Sequence, residues 1–154
     1  MIIILDTSVV LKWLDPYEEY ADKAHGLLSA HLWGTQTWGR IQKIAVPFIM
    51  FAEVLVALRK WGRPLSEIED NLGLITAANL EIIPPEYKLL ALAASLAEKA
   101  RRPRRETFDS IFLAAALVRN APFVTADEGL LEWASQIPNL KAGHLRDVGR
   151  LAAP

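Results

Sequence analysis

A chain of 154 residues that is 52% hydrophobic and 23% charged has the composition of a globular protein, so we predict a single domain over residues 1–154 with a sizeable core. The net charge of −1 excludes nucleic-acid binding through overall basicity, and the lack of Cys excludes disulfides, thiolate metal sites and Cys nucleophiles. The sequence shows neither a secretory signal nor an apolar run near the roughly 20 residues of a membrane span, so we expect a cytoplasmic protein without a membrane partner.

The first part of the chain alternates apolar strands with helices. Ile2–Leu5 is a continuous apolar run typical of a buried strand, and Asp15-Pro16 ends the short helix after it, which Thr7 or Ser8 can cap. In chain order we predict a strand over 2–5, helices over 9–14 and 17–30, a loop or helical extension over 31–43, a strand over 44–46 and a helix over 49–60.

The rest of the chain continues this alternation. Gly62 ends one helix and Pro64 opens the next, while Phe108–Asn120 is apolar on nearly all sides and predicts a central helix with Thr107 as its cap. The predicted elements are helices over 64–77, 86–100, 108–120 and 128–135 and strands over 80–83, 123–125 and, more weakly, 140–142. Short strands that alternate with helices indicate the α/β class, with a three-layer α/β/α fold and a central, mainly parallel sheet.

Four acidic residues interrupt segments that otherwise look like core. They are Asp6 after the first strand, Glu53 and Asp109 within apolar helices, and Asp127 after the strand over 123–125. Carboxylates are almost never fully buried unless they are paired or bound to a metal. Ligands of parallel sheets bind beyond the carboxyl ends of the strands, and this rule places Asp6 and Asp127 at one edge. The four acids therefore predict a shared cation site.

Each acid also has a structural explanation when it is taken alone. Asp6 and Asp127 could be N-caps of the helices that follow them, and Glu53 could be a solvated residue on the polar face of its helix. Asp109 lies on an apolar face, where stabilisation by the helix dipole, typically about 0.3–1 kcal/mol, is small beside the cost of burying an unpaired charge. Their joint placement favours the cation site.

The residue types restrict the chemistry of such a site. Clustered carboxylate oxygens without Cys or His ligands select hard cations, so the expected cofactor is Mg²⁺ or Mn²⁺ rather than zinc. Close like charges raise one another's pKa values, and a divalent cation relieves that repulsion. Because such an ion can activate water and stabilise a transferring phosphoryl group, the expected reaction is metal-assisted hydrolysis of a phosphodiester.

The segments around the four acids form an ordered set of motifs. They read Leu5-Asp6-Thr7-Ser8, Ala52-Glu53-Val54, Phe108-Asp109-Ser110 and Val124-Thr125-Ala126-Asp127. In this order and spacing they resemble the four motifs of PIN-domain nucleases, particularly the VapC toxins of VapBC toxin–antitoxin modules. The resemblance extends over nearly the whole chain.

This resemblance implies a PIN fold and the activity of a Mg²⁺- or Mn²⁺-dependent endoribonuclease. Asp6, Asp109 and Asp127 would be metal ligands, and Glu53 would complete the catalytic quartet as a direct ligand or through water. Either Glu53 or Asp6 would help to deprotonate the attacking water.

The resemblance also implies supporting residues and partners. Thr7, Ser8 and Thr125 match polar positions that support the site or orient water. Related proteins act on RNA, are commonly homodimers, and are held inactive by a VapB-like antitoxin whose tail covers the site.

Two other segments are candidates for RNA contact. A basic run before the third motif comprises Lys99, Arg101, Arg102, Arg104 and Arg105. Such a run is usually a solvated helix end, but beside a nuclease site it would meet RNA phosphates. Residues 31–43 form a longer connection than the family pattern suggests. Its aromatic and basic residues could bind single-stranded RNA, or its tryptophans could pack against the core or a dimer partner; these residues are Trp33, Trp38, Arg40 and Lys43.

Other functions stay open at the level of sequence. A non-catalytic PIN-like module that binds RNA or protein would be favoured by loss of the acids, and all four are present. A phosphatase-like or DNA-directed Mg²⁺ hydrolase of similar topology is a further alternative.

Overall fold

The fold is built on one parallel sheet. The structure, a computed structural model, describes residues 1–34, 43–100 and 107–151. For residues 150 and 151 it describes the backbone only. Its strands are β1 (Ile2–Leu5), β2 (Lys43–Pro47), β3 (Glu81–Ile83), β4 (Phe123–Thr125) and β5 (Ala142–His144). They pair in the order β3-β2-β1-β4-β5, and every pairing is parallel. The predicted α/β fold with a mainly parallel sheet is confirmed.

Helices connect the strands and flank the sheet. They are α1 (Thr7–Leu11), α2 (Ala21–Trp33), α3 (Met50–Lys60), α4 (Leu65–Ala77), α5 (Tyr87–Lys99), α6 (Asp109–Arg119), α7 (Glu128–Ser135) and α8 (Val148–Leu151). A 3₁₀ turn over Leu145–Asp147 precedes α8, and neither of these two was predicted. None of the helices in the described ranges has the length and apolar character needed to cross a membrane.

The strand order reverses between β1 and β4. Because β-strand crossovers are right-handed, the helices that follow β1 and β2 cover one face of the sheet and those that follow β3 and β4 cover the other. Such a reversal opens a crevice beyond the carboxyl ends of the two strands beside it. Leu5 is in register with Val124, and the Asp6 amide donates to the Val124 carbonyl at 2.9 Å. Asp6 therefore lies in this crevice.

α6 is the central helix of the core, as predicted. Every residue of its Ile111–Ala116 segment is buried, and the helix packs against β1, β2, β4 and α5. Its run of small residues, Ala114–Ala116, lets the helix backbone approach its neighbours closely, while the Phe112 side chain is fully buried. The packing of α6 thus supports β1 and β4, the two strands beside the crevice, and their neighbour β2.

The prediction that the second helix starts at residue 17 is wrong. The Asp15 carboxylate accepts a hydrogen bond from the Tyr17 amide at 3.0 Å, which makes residues 15–20 a turn rather than a first helical turn. Tyr20 then takes a left-handed conformation (φ 64°), and α2 begins at Ala21. At its other end α2 continues to Trp33, so the helical extension is confirmed for residues 31–33, while residues 35–42 lie outside the described ranges.

Two predicted caps are also wrong. α1 is capped by the carboxylate of Asp6, which accepts from the Ser8 amide, and not by the hydroxyl of Thr7 or Ser8. Asp6 is the cap because it directly precedes the first helical residue and has an extended backbone, which points its side chain at the first turn. At α6 the N-cap position is Phe108 rather than Thr107, since the Phe108 carbonyl accepts the first hydrogen bond of the helix, from the Ile111 amide.

The last strand lies two residues beyond its predicted position. Leu140 was assigned to the strand because it is apolar, but its amide donates to the Ile137 carbonyl at 3.3 Å and it packs against the core from a turn. Asn139 is left-handed in that turn (φ 65°). β5 starts at Ala142, which is in register with Phe123 of β4.

The edge strand β3 is tied to its neighbours by Glu81. Its carboxylate pairs with Lys43 of β2 at 2.9 Å and with Arg119 of α6 at 3.0 Å. The hydrogen bond from Lys43 lowers the pKa of Glu81 below its ordinary value of 4.5, and the charge of Arg119 acts in the same direction. A lowered pKa in the folded state means that Glu81 stabilises the fold above pH 4.5 and that this contribution is lost as the pH falls through the folded-state pKa.

We expect Glu81→Gln to lower the free energy of unfolding at pH 7 by at most about 1 kcal/mol, because both ion pairs are partly solvated. Urea unfolding should show that the difference from the wild type shrinks below pH 4.5. Glu69→Gln, which changes an exposed glutamate of α4, is the matched control. A loss of stability in Glu81→Gln that stays constant from pH 7 to pH 3 would contradict this role.

Candidate active site

Asp6 is the buried centre of the candidate site. It follows β1 and caps α1, and only 5% of its surface is exposed. Its Oδ2 atom accepts hydrogen bonds from the Ser8 amide at 3.3 Å, the Ser8 hydroxyl at 2.5 Å and the Thr125 hydroxyl at 2.9 Å. Burial nevertheless raises the pKa of Asp6, since these hydrogen bonds only partly compensate for the lost hydration. None of the ion pairs among the described residues includes Asp6.

Glu53 lies within electrostatic reach of Asp6. It occupies the first turn of α3 and is half-buried, so the alternative of a fully solvated surface residue does not hold. Its Oε2 atom accepts a hydrogen bond from the hydroxyl of Thr7. Burial raises the pKa of Glu53, and the negative charge of Asp6 raises it further. The two carboxylates thus share a region with excess negative charge.

Asp127 is joined to Asp6 through a hydroxyl. It is exposed after β4, where its Oδ1 atom accepts from the Leu130 amide at 2.9 Å as the N-cap of α7. The Asp127 amide donates to the Thr125 hydroxyl at 3.0 Å, and that hydroxyl donates to Asp6. Both Asp6 and Asp127 are therefore N-caps, and both belong to one hydrogen-bonded network at the crevice.

Ser8 gives a second link between the strand ends. Its hydroxyl accepts from the Ala126 amide at 3.0 Å and lies 3.4 Å from the Thr125 hydroxyl. Thr7, Ser8 and Thr125, the three polar residues chosen from the sequence, thus each contact one of the acids. Whether they support catalysis stays a prediction.

Asp109 is the fourth acid of the candidate site. It is the first residue of α6 and is half-buried. In residues 1–34, 43–100 and 107–151, no three His, Asp or Glu side chains are placed so that together they could hold a metal ion. The four acids are therefore not a preformed set of ligands, and their role in metal binding stays a prediction.

The donor chemistry of the site does suit a hard cation. The side chains around Asp6 and Glu53 offer only carboxylate and hydroxyl oxygens, which are the ligands that Mg²⁺ and Mn²⁺ prefer. Burial raises the pKa of both Asp6 and Glu53, and neither has a cationic partner among the ion pairs of the described residues. A divalent cation would balance their negative charge.

Most of the basic residues predicted to contact RNA fall outside the described ranges, while Lys99 ends α5 and Lys43 begins β2. Arg101, Arg102, Arg104 and Arg105 lie outside the described residues, as do Trp38 and Arg40. Of the remaining candidates, Trp33 is 76% exposed at the end of α2, so it does not pack into the core of this chain.

A groove beside the acids was not predicted. It has a volume of about 240 Å³ and is lined by Ser8, Leu11, Lys12, Glu18, Trp61, Ala126 and Asp127. Its lining comes from segments far apart in the chain, which periodicity cannot bring together.

The Thr125 hydroxyl makes a testable contribution to stability. Thr125→Val keeps the shape of the side chain but leaves the Asp127 amide and the buried Asp6 carboxylate each without one partner. We expect a loss of about 1–3 kcal/mol in the free energy of unfolding, measured with urea. Thr76→Val, whose exposed hydroxyl bonds only the Leu72 carbonyl, should change it by less than about 0.5 kcal/mol. Equal losses of stability in the two variants would show that the hydrogen bonds of the Thr125 hydroxyl to Asp6 and Asp127 do not stabilise the fold.

The fold and the site together define a class of protein: a parallel α/β domain with carboxylates at the point where the strand order reverses. The family model of the PIN domain matches residues 3–135. The chain belongs to the PIN domain family. No protein of curated function matches it significantly by sequence.

Solved structures share this fold at low sequence identity. VapBC2 from Rickettsia felis, bound to a DNA fragment from its promoter, is similar with a TM-score of 0.65 and 19% identity over 94% of this chain and 98% of that chain. DNA-bound VapBC from Salmonella typhimurium has a TM-score of 0.62 and 16% identity, covering 94% and 99%. VapBC-5 from Mycobacterium tuberculosis has a TM-score of 0.55 and 22% identity, covering 93% and 96%.

Proposed function

We propose that this protein is a Mg²⁺- or Mn²⁺-dependent endoribonuclease, the VapC-type toxin of a toxin–antitoxin pair. The observation that carries the proposal is the buried Asp6 carboxylate beside Glu53, at the carboxyl edge of the sheet and without a cationic partner among the described residues. A fold retains a pair of buried or half-buried carboxylates without cationic partners more readily for chemistry than for stability. Membership of the PIN domain family supports the same assignment.

The residues have distinct roles in this proposal. Asp6, Glu53, Asp109 and Asp127 would hold the metal, which when bound polarises the scissile phosphate and activates water. Ser8 and Thr125 fix the Asp6 carboxylate by their hydrogen bonds.

Glu53 is the better candidate for the general base. The hydroxyl of Thr7 donates a hydrogen bond to its carboxylate and orients it. It is also less buried than Asp6 and so more open to a water molecule.

The proposed partners follow from the structural neighbours. Three VapBC complexes share the fold over more than nine-tenths of this chain, which supports a VapB-like antitoxin. A homodimer and a cytoplasmic location complete the proposal. In a cell, we expect expression of the chain alone to arrest growth and co-expression of the antitoxin to relieve the arrest.

A second candidate is a non-catalytic PIN-like module that binds RNA or protein. The observation in its favour is that no three acidic or histidine side chains of the described ranges are grouped for a metal. Such a module would bind its ligand equally well with and without a divalent ion.

Cleavage of end-labelled single-stranded RNA by the purified protein separates the candidates. We expect cleavage with Mg²⁺ or Mn²⁺ that EDTA abolishes, and no cleavage of single-stranded DNA of the same sequence. RNA binding without cleavage would favour the binding module, and cleavage of DNA instead of RNA would favour the DNA-directed hydrolase.

A further inference from the structure

The groove lined by Ser8, Lys12, Glu18, Trp61 and Asp127 extends directly from the acidic network. Ser8 and Asp127 belong to both, so a ligand held at the acids would continue into the groove. Its volume of about 240 Å³ is below the roughly 300–1,000 Å³ of sites for drug-sized molecules. The space therefore suits a small planar group, such as one nucleobase, better than a large ligand.

Trp61 provides an aromatic wall. It is 41% exposed at the end of α3, eight residues and thus roughly 12 Å along the helix from Glu53. Gly62, with a φ of +71°, ends the helix there, and the Trp61 amide donates to the Ala57 carbonyl at 2.9 Å. The backbone under the indole is therefore held in place, which reduces the entropy lost when a base stacks on it.

One cationic side chain, Lys12, lines the groove together with Trp61. Lys12 lines the groove with only 11% of its side chain exposed, and its Nζ atom lies 3.1 Å from the Glu18 carboxylate. Glu18 is 47% exposed, so a phosphate oxygen can replace it as the partner of Lys12 at little cost. Arg59 and Lys60, both exposed, directly precede Trp61 in the sequence but do not line the groove.

We propose that this groove binds one unstacked nucleotide of single-stranded RNA next to the scissile phosphate, with its base stacked on Trp61 and its phosphate at Lys12. Aromatic side chains beside basic ones bind single strands in this way, with little dependence on base identity. The inference rests on the proposed ribonuclease function and adds to it the position of a neighbouring nucleotide.

Trp61→Ala tests the stacking. In EDTA, where cleavage is suppressed, we expect fluorescence anisotropy to show at least a roughly tenfold weaker affinity for a labelled single-stranded RNA, with Trp61→Phe retaining most of it. With Mn²⁺, the KM should rise while kcat changes little. The matched control is Tyr87→Ala, which removes an exposed aromatic side chain of α5 away from the groove. Thermal unfolding separates a binding defect from a folding defect.

Lys12→Gln tests the phosphate contact independently. Loss of one phosphate contact should lower the slope of log affinity against log salt concentration by about one, which a purely structural role would not do.

Four outcomes test the nucleotide site in the groove separately from the ribonuclease function. Unchanged binding and KM in Trp61→Ala, with an unchanged salt slope in Lys12→Gln, would overturn the inference while leaving the ribonuclease function intact. Weaker binding in Trp33→Ala instead of Trp61→Ala would place the stacking site at the end of α2 and also overturn it. A wild-type protein that neither binds nor cleaves RNA would refute both proposals. Weaker RNA binding in Trp61→Ala, with wild-type binding in Tyr87→Ala and Trp33→Ala, would support a nucleotide site in the groove.

Discussion

Asp6→Asn should slow metal-dependent RNA cleavage by about 100-fold or more at saturating Mn²⁺. Losing an outer-sphere partner of a metal typically lowers metal affinity or activity by about 10- to 100-fold, and Asp6 is proposed as a direct ligand. The substitution removes one negative charge from the most buried of the four acids. The rate should be measured with end-labelled RNA under single-turnover conditions, which isolate the chemical step.

The Asp6→Asn variant should still fold. Its amide oxygen can accept the hydrogen bonds from Ser8 and Thr125, and the cost of burying a charge disappears. We therefore expect its Tm to lie within about 4 °C of the wild type, which corresponds to about 1 kcal/mol for a chain of this size. Asp70→Asn, an exposed substitution in α4, is the matched control and should retain full activity. Equal cleavage rates in Asp6→Asn and Asp70→Asn would remove Asp6 from the mechanism.

Phe112→Ala should be the most destabilising single substitution considered. Phe112 is among the largest fully buried side chains, and it lies in the middle of α6, which packs against three strands and α5. Truncating a buried Phe to Ala typically costs about 3–5 kcal/mol, because the lost burial is joined by the cost of the cavity left behind. Chemical denaturation with urea measures this loss directly.

The control for Phe112→Ala is the same substitution four residues earlier. Phe108 is 56% exposed at the N-cap of α6, so Phe108→Ala should cost less than about 1 kcal/mol. If the two variants lost the same stability, α6 would not be the central helix of the core.

Most of the fold could be predicted because the strands and helices carry strong apolar patterns. Ile2–Leu5 and the apolar α6 can be assigned from sequence alone, since each is buried on nearly all sides. The errors arose where turn geometry overrides the apolar pattern. The Asp15 carboxylate turns residues 15–20 away from a helix, and Leu140 is apolar because it packs from a turn rather than from a strand.

The candidate site was predictable to different degrees. Asp6 and Asp127 follow parallel strands, and a general rule for such sheets places them together. Glu53 comes near Asp6 only through the tertiary packing of α3, so of the four acids its assignment depended most on the family resemblance. Asp109, the acid that seemed hardest to explain without a metal, lies half-buried at the start of α6, as the apolar pattern of that helix predicts.

The groove with Trp61 could not be predicted, because no local pattern shows that the ends of α1 and α3 meet beside Asp127. Its discovery depends on the tertiary arrangement alone. Asp6 illustrates the opposite case, since its burial follows from its position directly after an apolar strand.

Binding of Mn²⁺ by the acids is the claim on which the whole account depends, because the described side chains do not form a preformed metal site. Electron paramagnetic resonance of free Mn²⁺, during titration with the wild type, Asp6→Asn and Asp70→Asn, measures this binding without any assumption about the substrate. The account predicts that the wild type and Asp70→Asn bind the ion and that Asp6→Asn loses at least about tenfold in affinity. Equal Mn²⁺ binding by all three proteins, or none by the wild type, would contradict it.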